Sequence, residues 1–223
     1  MSFSTTEENY IKAIFHLQHA TGNVTTNELA AKLHTSAASV TDMLKKLKLK
    51  KLLSYERYKG VRLSVEGKKL ALGVVRKHRL WEFFLVDTLQ FGWDEVHEVA
   101  EELEHISSKK LIEKLDTFLG NPKFDPHGDP IPDSQGKMAI QKHINLIDLA
   151  LNKTAEVTGV GSQSTELLEL LKHKQIGIGT KLEVKRKFSF DHSIEIKVKN
   201  QNPFTISQQL AQALFVKLVK NEI

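Results

Sequence analysis

RKHRLWEFF, residues 76–84, and DEVHEVAEELEHISS, residues 94–108, twice set metal-type ligands at helical spacing. In the first run His78 and Glu82 stand four residues apart, among the helically spaced apolar residues Leu80, Phe83 and Phe84. In the second, His97, Glu101, Glu104 and His105 fall at offsets of 0, 4, 7 and 8, which share one face if the whole run is a helix. Val96, Val99, Ala100, Leu103 and Ile106 form an adjoining apolar stripe that predicts a core-facing side. Such a helix lines carboxylates and imidazoles along the edge of a buried surface, where a divalent cation with mixed nitrogen and oxygen ligands can be enclosed. A Glu-rich helix is ordinarily only a solvated face. The same ligand chemistry repeated in two runs favours a cation.

Upstream, TTEENYIKAIFHLQHA (residues 5–20) spaces Tyr10, Ile11, Ile14, Phe15 and Leu17 as one helix, with Gly22 as its stop. Thr25 and Glu28 have capping-box spacing, so a short helix begins there and turns Leu29, Ala30 and Leu33 inward. His34 and Thr35 interrupt it. Ser36 then caps a second helix bearing Val40, Met43, Leu44 and Leu47. Two short helices joined by a tight turn, the second starting with small side chains and ending in lysines, predict a helix-turn-helix. Small residues allow the helix N-terminus to sit deep in a major groove. The expected DNA contacts are Thr26, Ser36, Ala37, Ala38, Ser39, Thr41 and Lys45. LLSYERYKGVRLS (residues 52–64) predicts a β-hairpin whose tip carries Arg57 and Lys59, making the unit a winged helix. Following such a segment, the two ligand clusters read as a metal centre rather than as a solvated surface.

Composition sets the bounds. The chain has 223 residues, 40% hydrophobic and 26% charged, with no apolar run long enough to span a bilayer and no signal pattern at its N-terminus. The expectation is a soluble cytoplasmic chain of two or three small domains, without a membrane partner. There is no cysteine, which excludes disulfides, thiolate metal sites and cysteine nucleophiles. The net charge of +5 is unevenly placed: Lys45 to Arg62 holds eight basic residues against Glu56, whereas Asp94 to Glu104 holds six acids and no Lys or Arg.

Downstream of Ser64 a long helix is predicted, then the acidic helix, then a helix in SKKLIEKLDTFLG. Trp81, Phe83, Phe84 and Phe91 give these helices more apolar surface than one small domain needs, which points to a homodimer. NPKFDPHGDPIPD (residues 121–133) has four of the five prolines and must be irregular and stiff; its Asp125 and His127 are again metal-type ligands. Beyond it, EVTGV, KLEVKRKFSF and SIEIKVK read as strands, GIG and Asp191-His192 as turns, and TELLELLKH as one helix. QQLAQALFVKLV closes the chain as a helix or a strand. These elements suffice for a small barrel of the SH3 kind.

The succession of SAASVTDMLKKL, RKHRLWEFFL, VHEVAEELEHISS, DPHGDPIP and a small β-barrel resembles the diphtheria toxin repressor and manganese transport regulator family, over essentially the whole chain. The resemblance implies a mainly α fold with a small β part. Residues 1–65 would form the winged helix-turn-helix DNA-binding domain and 66–140 a helical dimerisation and metal-binding domain. Residues 141–152 would be a linker, and 153–223 an SH3-like β-barrel of the FeoA type. By the same resemblance the regulatory metal would be held by Glu101, Glu104 and His105 with Asn9 of the first helix, where relatives have Met or Asp. A second site would use His78 or Glu82 with His97, or in the streptococcal pattern Glu82 with Asp125 and His127. Gln163 and Glu166 are candidates for a ligand from the C-terminal domain. Lys12 stands where compact two-domain manganese regulators have a glutamate ligand, which argues against their binuclear site.

The function expected is a metal-dependent repressor of metal-uptake genes that binds a double-stranded DNA operator. Mn²⁺ is the expected co-repressor, because every candidate ligand is a carboxylate, amide or imidazole; Fe²⁺ is the alternative, with repression of iron-uptake genes. From another class, a metal-dependent hydrolase using the His/Glu helix is disfavoured. HExxH spacing, a nucleophile elbow and a glycine-rich phosphate loop are all absent from the sequence, so no enzymatic activity is expected.

Overall fold

The computed structural model describes residues 3–22, 24–56 and 60–219. Arg57 and Lys59, the expected wing-tip contacts, lie outside the described residues. The described chain divides into two compact units, one of Met1–His78, Glu101–Glu113 and Pro132–Met138, the other of Arg79–Ala100, Lys114–Ile131 and Ala139–Ile223.

In the first unit, α1 (Thr5–Thr21) starts at Ser4, whose hydroxyl accepts the Glu7 N–H while Glu7 returns a carboxylate to the Ser4 N–H. Thr25 and Glu28 make the same reciprocal cap for α2 (Thr26–Lys32), as their spacing predicts. Ser36 caps α3 (Ala37–Leu49), and His34 takes a left-handed φ of 49° in the turn between the two helices. β1 (Leu53–Glu56) and β2 (Gly60–Leu63) pair antiparallel as the hairpin. Tyr10, Ile11, Ile14, Phe15, Leu29, Val40, Leu47 and Val61 close the core beneath them. Gly60 begins β2 with a left-handed φ of +74°, and a Cβ there would sit 2.6 Å from the Val24 carbonyl oxygen.

Part of the basic run is paired with an acid. Lys50 and Lys46 reach back to the buried Glu7 of α1, at 2.6 and 3.5 Å. These two lysines tie α3 to α1 while remaining exposed, so part of the positive charge of the basic run is offset by Glu7.

α4 (Val65–Asp87) is the long helix that carries both His78 and Glu82. α5 (Val96–Leu103) is shorter than the ligand spacing implies: Glu104 and His105 lie in the turn after it, so the four ligands do not share one helical face. α6 (Lys109–Phe118) follows.

The second unit contains a six-stranded antiparallel sheet. Its strands are β3 (Ile144–Asn145), β4 (Thr154–Val160), β5 (Lys181–Lys187), β6 (Ile194–Val198), β7 (Phe204–Ile206) and β8 (Leu214–Leu218), in the order β3-β8-β4-β5-β6-β7. Register shifts between Val157 and Gly159 and between Val184 and Arg186 bend it, as bulges do. α7 (Thr165–His173) and α8 (Gln208–Gln212) pack on its apolar face around Leu168, Leu171 and Leu210. The closing segment is thus a helix and then a strand. Part of the expected linker 141–152 belongs to this domain, because β3 pairs with β8 and Leu146 and Leu149 are fully buried in its core. The two expected turns carry left-handed residues at Gly179 and His192.

Gly128 holds the proline-rich segment against β4. Its φ is +89°, and a Cβ would lie 2.1 Å from the Thr158 carbonyl oxygen and 2.6 Å from the Gly159 Cα. Replacing Gly128 with Ala combines a strained backbone with a backbone clash, and is expected to lower stability by roughly 2 kcal/mol or more. Thermal denaturation of the metal-free variant against wild type checks this.

Candidate metal centre

Three buried side chains of the second unit converge: Glu82 from α4, and Asp125 and His127 from the proline-rich segment. Each offers one ligand atom, and these atoms all lie within 4.8 Å of one another. The spacing D-P-H matters because of how the turn closes. Asp125 Oδ1 accepts the N–H groups of His127 and Asp129, both at 2.9 Å, so one carboxylate oxygen builds the turn and the other is left for the cluster. That second oxygen, Oδ2, lies 3.4 Å from Arg79 Nε and has no hydrogen-bond partner among the described residues.

His127 is oriented from its far side. Its Nε2–H donates to the Trp93 carbonyl oxygen at 2.8 Å, and the Trp93 ring stacks on the imidazole at 5.9 Å between centroids. A carbonyl can only accept, so Nε2 carries the hydrogen and Nδ1 holds the lone pair in the neutral ring. Nδ1 points at Glu82 Oε2, 3.8 Å away. The other Glu82 oxygen, Oε1, lies 3.2 Å from His97 Nδ1.

The electrostatics suit a cation. Burial, together with the charges of Glu82 and Asp129, pushes the Asp125 carboxyl up to about 7, against the pull of Arg79 and His127. Burial works to lower the His127 pKa, but Glu82, Asp125 and the Trp93 carbonyl raise it further than burial lowers it. Two buried carboxylates and an imidazole with its lone pair turned inward fit a hard or borderline divalent ion.

A second shell reaches into the C-terminal domain. Arg79 donates to Asp129 Oδ2 at 3.1 Å and to the Pro130 carbonyl at 2.6 Å, while the Gln163 amide donates to the same Asp129 oxygen at 3.3 Å. Gln163 therefore meets Asp129 behind the Glu82, Asp125 and His127 cluster, and Glu166 is exposed on α7. Sequence reasoning did not single out Trp93, Arg79 or Asp129. Their roles depend on a carbonyl, a guanidinium and a turn that no spacing rule links.

The other acid cluster belongs to the first unit and is differently built. Glu104 is fully buried and its Oε2 lies 2.7 Å from His78 Nδ1 and 2.7 Å from Lys12 Nζ; Lys12 Nζ also lies 3.3 Å from Glu101 Oε1. Burial works to raise the Glu104 pKa, yet the bonds and charges of His78 and Lys12 hold it below the usual carboxylate value. His105 Nδ1 bonds Glu8 Oε2 of α1 at 2.7 Å and its Nε2 lies 3.6 Å from Glu104 Oε1. Glu101, Glu104 and His105 thus all lie against α1, which also carries the half-buried Asn9, but among the described residues these three do not bring their ligand atoms within 4.8 Å of one another. Glu8 and Lys12 join them, and His78 lies on this side as well.

On the DNA-facing unit, Ser36, Ala37, Ala38, Ser39, Thr41 and Lys45 are all exposed along the start of α3, with Thr26 half-buried at the start of α2. Ser36 and Ser39 hydroxyls bond each other at 2.9 Å, Thr41 bonds the Ala37 carbonyl at 2.8 Å, and Lys45 pairs with Asp42 at 3.0 Å.

A helix-turn-helix with a two-stranded wing, a helical segment with two buried acid and imidazole clusters, and a small antiparallel sheet define a DNA-binding protein with metal-type centres. Domain comparison agrees throughout. Residues 2–61 match the iron dependent repressor N-terminal DNA binding domain, 64–133 the iron dependent repressor metal binding and dimerisation domain, and 144–218 the FeoA domain. The HTH-type transcriptional regulator MntR of Oceanobacillus iheyensis is 31% identical over 149 residues, covering 67% of this chain and 95% of that protein. The iron-dependent repressor IdeR of Mycobacterium leprae is 27% identical over 224 residues, 96% of this chain and 97% of its own length. A solved manganese-dependent transcriptional repressor in complex with manganese superposes with a TM-score of 0.84 at 30% identity, covering 96% of this chain and 100% of that one. The chain belongs to the diphtheria toxin repressor and manganese transport regulator family of metal-dependent transcriptional repressors.

A metal entering at Glu82, Asp125 and His127 would have to displace the proton that Asp125, pushed up to about 7, shares near neutrality, and the raised His127 pKa acts in the same direction. Affinity there is expected to increase as pH rises from about 6 to 8. Calorimetric titration with Mn²⁺ in two buffers of different ionisation enthalpy should report proton release at pH 6.5 that diminishes at pH 8.

Proposed function

We propose that this protein is a Mn²⁺-dependent, DNA-binding repressor of metal-uptake genes, acting as a cytoplasmic homodimer and without enzymatic activity. The observation that carries the reading is the convergence of Glu82, Asp125 and His127 as oxygen and imidazole donors without any thiol or thioether. Oxygen-rich sets suit Mn²⁺ and give up the extra hold that sulfur has on later metals. Fe²⁺ has nearly the same preference and is the second reading, favoured by the iron-dependent relative.

Glu82, Asp125 and His127 would be the ligands of one site, with His97 beside Glu82. Glu101 and Glu104, with His105, His78 and Asn9 around them, would form the regulatory site. A bound divalent cation supplies the positive charge that lets neighbouring buried carboxylates stay ionised together. Asp125 keeps its turn closed through Oδ1 while Oδ2 serves the site, and the Trp93 carbonyl keeps His127 in the ligating tautomer. Glu101 and Glu104 hold α1, whose opposite face is embedded in the winged-helix core through Ile11 and Ile14. Fixing α1 therefore fixes α3 for DNA, and by linkage DNA and metal strengthen each other's binding by the same factor.

Ser36, Ser39 and Thr41 would read bases or phosphates, with Lys45, Arg57 and Lys59 on phosphates. Fluorescence anisotropy on promoter fragments of the host's own metal-transport genes tests the reading. Binding is expected with Mn²⁺ and is expected to be lost on adding a chelator; equal affinity in both conditions would exclude metal control. Activation by Fe²⁺ far below the Mn²⁺ concentration needed, under anaerobic conditions, would move the assignment to iron. Lys45→Ala should weaken binding similarly for all sequences and flatten its salt dependence, whereas Ser39→Ala should change sequence preference.

A further inference from the structure

The cation position between Glu101 and Glu104 already has an occupant. Lys12 Nζ lies 2.7 Å from the Oε2 of Glu104 and 3.3 Å from the Oε1 of Glu101. That Oε2 is the same oxygen that His78 Nδ1 meets at 2.7 Å. Glu104 is fully buried, and the Lys12 side chain is only 13% exposed. An ammonium so placed is a compact positive charge on a flexible four-carbon stem, and it does for this pair of carboxylates what a divalent ion would do.

We propose that Lys12 is a tethered competitor for metal at this cluster: its ammonium neutralises Glu101 and Glu104 in the metal-free chain and must leave before a divalent cation enters. The inference rests on reading the cluster as a metal site. Three features support displacement over a fixed ion pair. The Lys12 stem is a flexible four-carbon chain that starts on α1, and that helix is anchored on its core side by the buried Ile11 and Ile14. Glu101 is 53% exposed, which leaves an open side for entry and for the departing ammonium. The neighbouring Glu8 lies 2.7 Å from His105 Nδ1 and 3.7 Å from Lys77 Nζ, so a third carboxylate stands within the same charged set. Competition of this kind raises the metal concentration at which the cluster fills.

The test is Mn²⁺ binding to the full-length protein, followed by electron paramagnetic resonance, for wild type, Lys12→Met and Lys12→Arg. Lys12→Met is expected to fill the cluster at about ten-fold lower free Mn²⁺ or less, since a close charged competitor is gone. Lys12→Arg keeps the charge and is expected not to tighten binding. Adding Glu101→Gln to Lys12→Met should remove the gain, which locates it at this cluster and not at Glu82, Asp125 and His127. In wild type, with no variant needed, the acetylation rate of Lys12 by an amine-reactive ester is expected to rise several-fold at saturating Mn²⁺, read by peptide mass spectrometry. Equal Mn²⁺ occupancy curves for wild type and Lys12→Met, or a Lys12 reactivity that metal leaves unchanged, would overturn the competitor role while the metal site stands. If neither protein holds more Mn²⁺ than Glu82, Asp125 and His127 account for, the cluster is not a metal site and the proposal falls with that reading.

Discussion

Like charges forced together out of water are the constraint on which the middle of this protein depends. Glu82, Asp125 and Glu104 are all buried, and each lies beside another acid or a histidine. An isolated buried carboxylate is costly enough that a protein must neutralise it by proton, by cation or by partner. The two clusters resolve the conflict differently. At Asp125 the carboxyl is pushed toward the protonated form, with Arg79 only partly compensating. At Glu104 a lysine and a histidine close in and keep the carboxylate charged. One cluster therefore holds protons that metal would replace, and the other holds a cation of its own.

The surrounding fold places these groups. The proline-rich segment would be an unremarkable connection but for the Asp125 turn, in which one oxygen closes the backbone and the other faces the cluster. Gly128 brings that turn against β4, where only a residue without a Cβ fits. Asp129, Arg79 and Gln163 extend the network from the turn to the C-terminal domain, so that the FeoA-type domain braces the Asp125 turn through Gln163. In the winged-helix unit, the exposed Lys46 and Lys50 pair with Glu7 of α1, which ties α3 to α1 and offsets part of the charge of the basic run.

Much of the fold could be read along the chain because it is locally encoded. The capping residues Ser36 and Thr25, the apolar spacing of Tyr10, Ile11, Ile14 and Phe15, and the turn-forming Gly179 and His192 are decided by near neighbours in sequence. The ligand types were legible for the same reason: His78 and Glu82 lie one turn apart on α4, and Asp125 and His127 are fixed by the intervening proline. The segment at 144–149 was not legible, because β3 is two residues long and is defined only by its pairing with β8.

Sequence by itself therefore determined the order of domains, the helix starts and the inventory of metal-type donors, since each follows from short-range backbone preference and side-chain chemistry. Tertiary structure decided which donors meet. Helical periodicity put Glu101, Glu104 and His105 on one face, but α5 ends at Leu103, and the turn that follows brings Glu104 to His78 and Lys12 and brings His105 to Glu8. Charges interact through space with a strength set by distance and burial, and neither quantity is written in the spacing of residues along a chain.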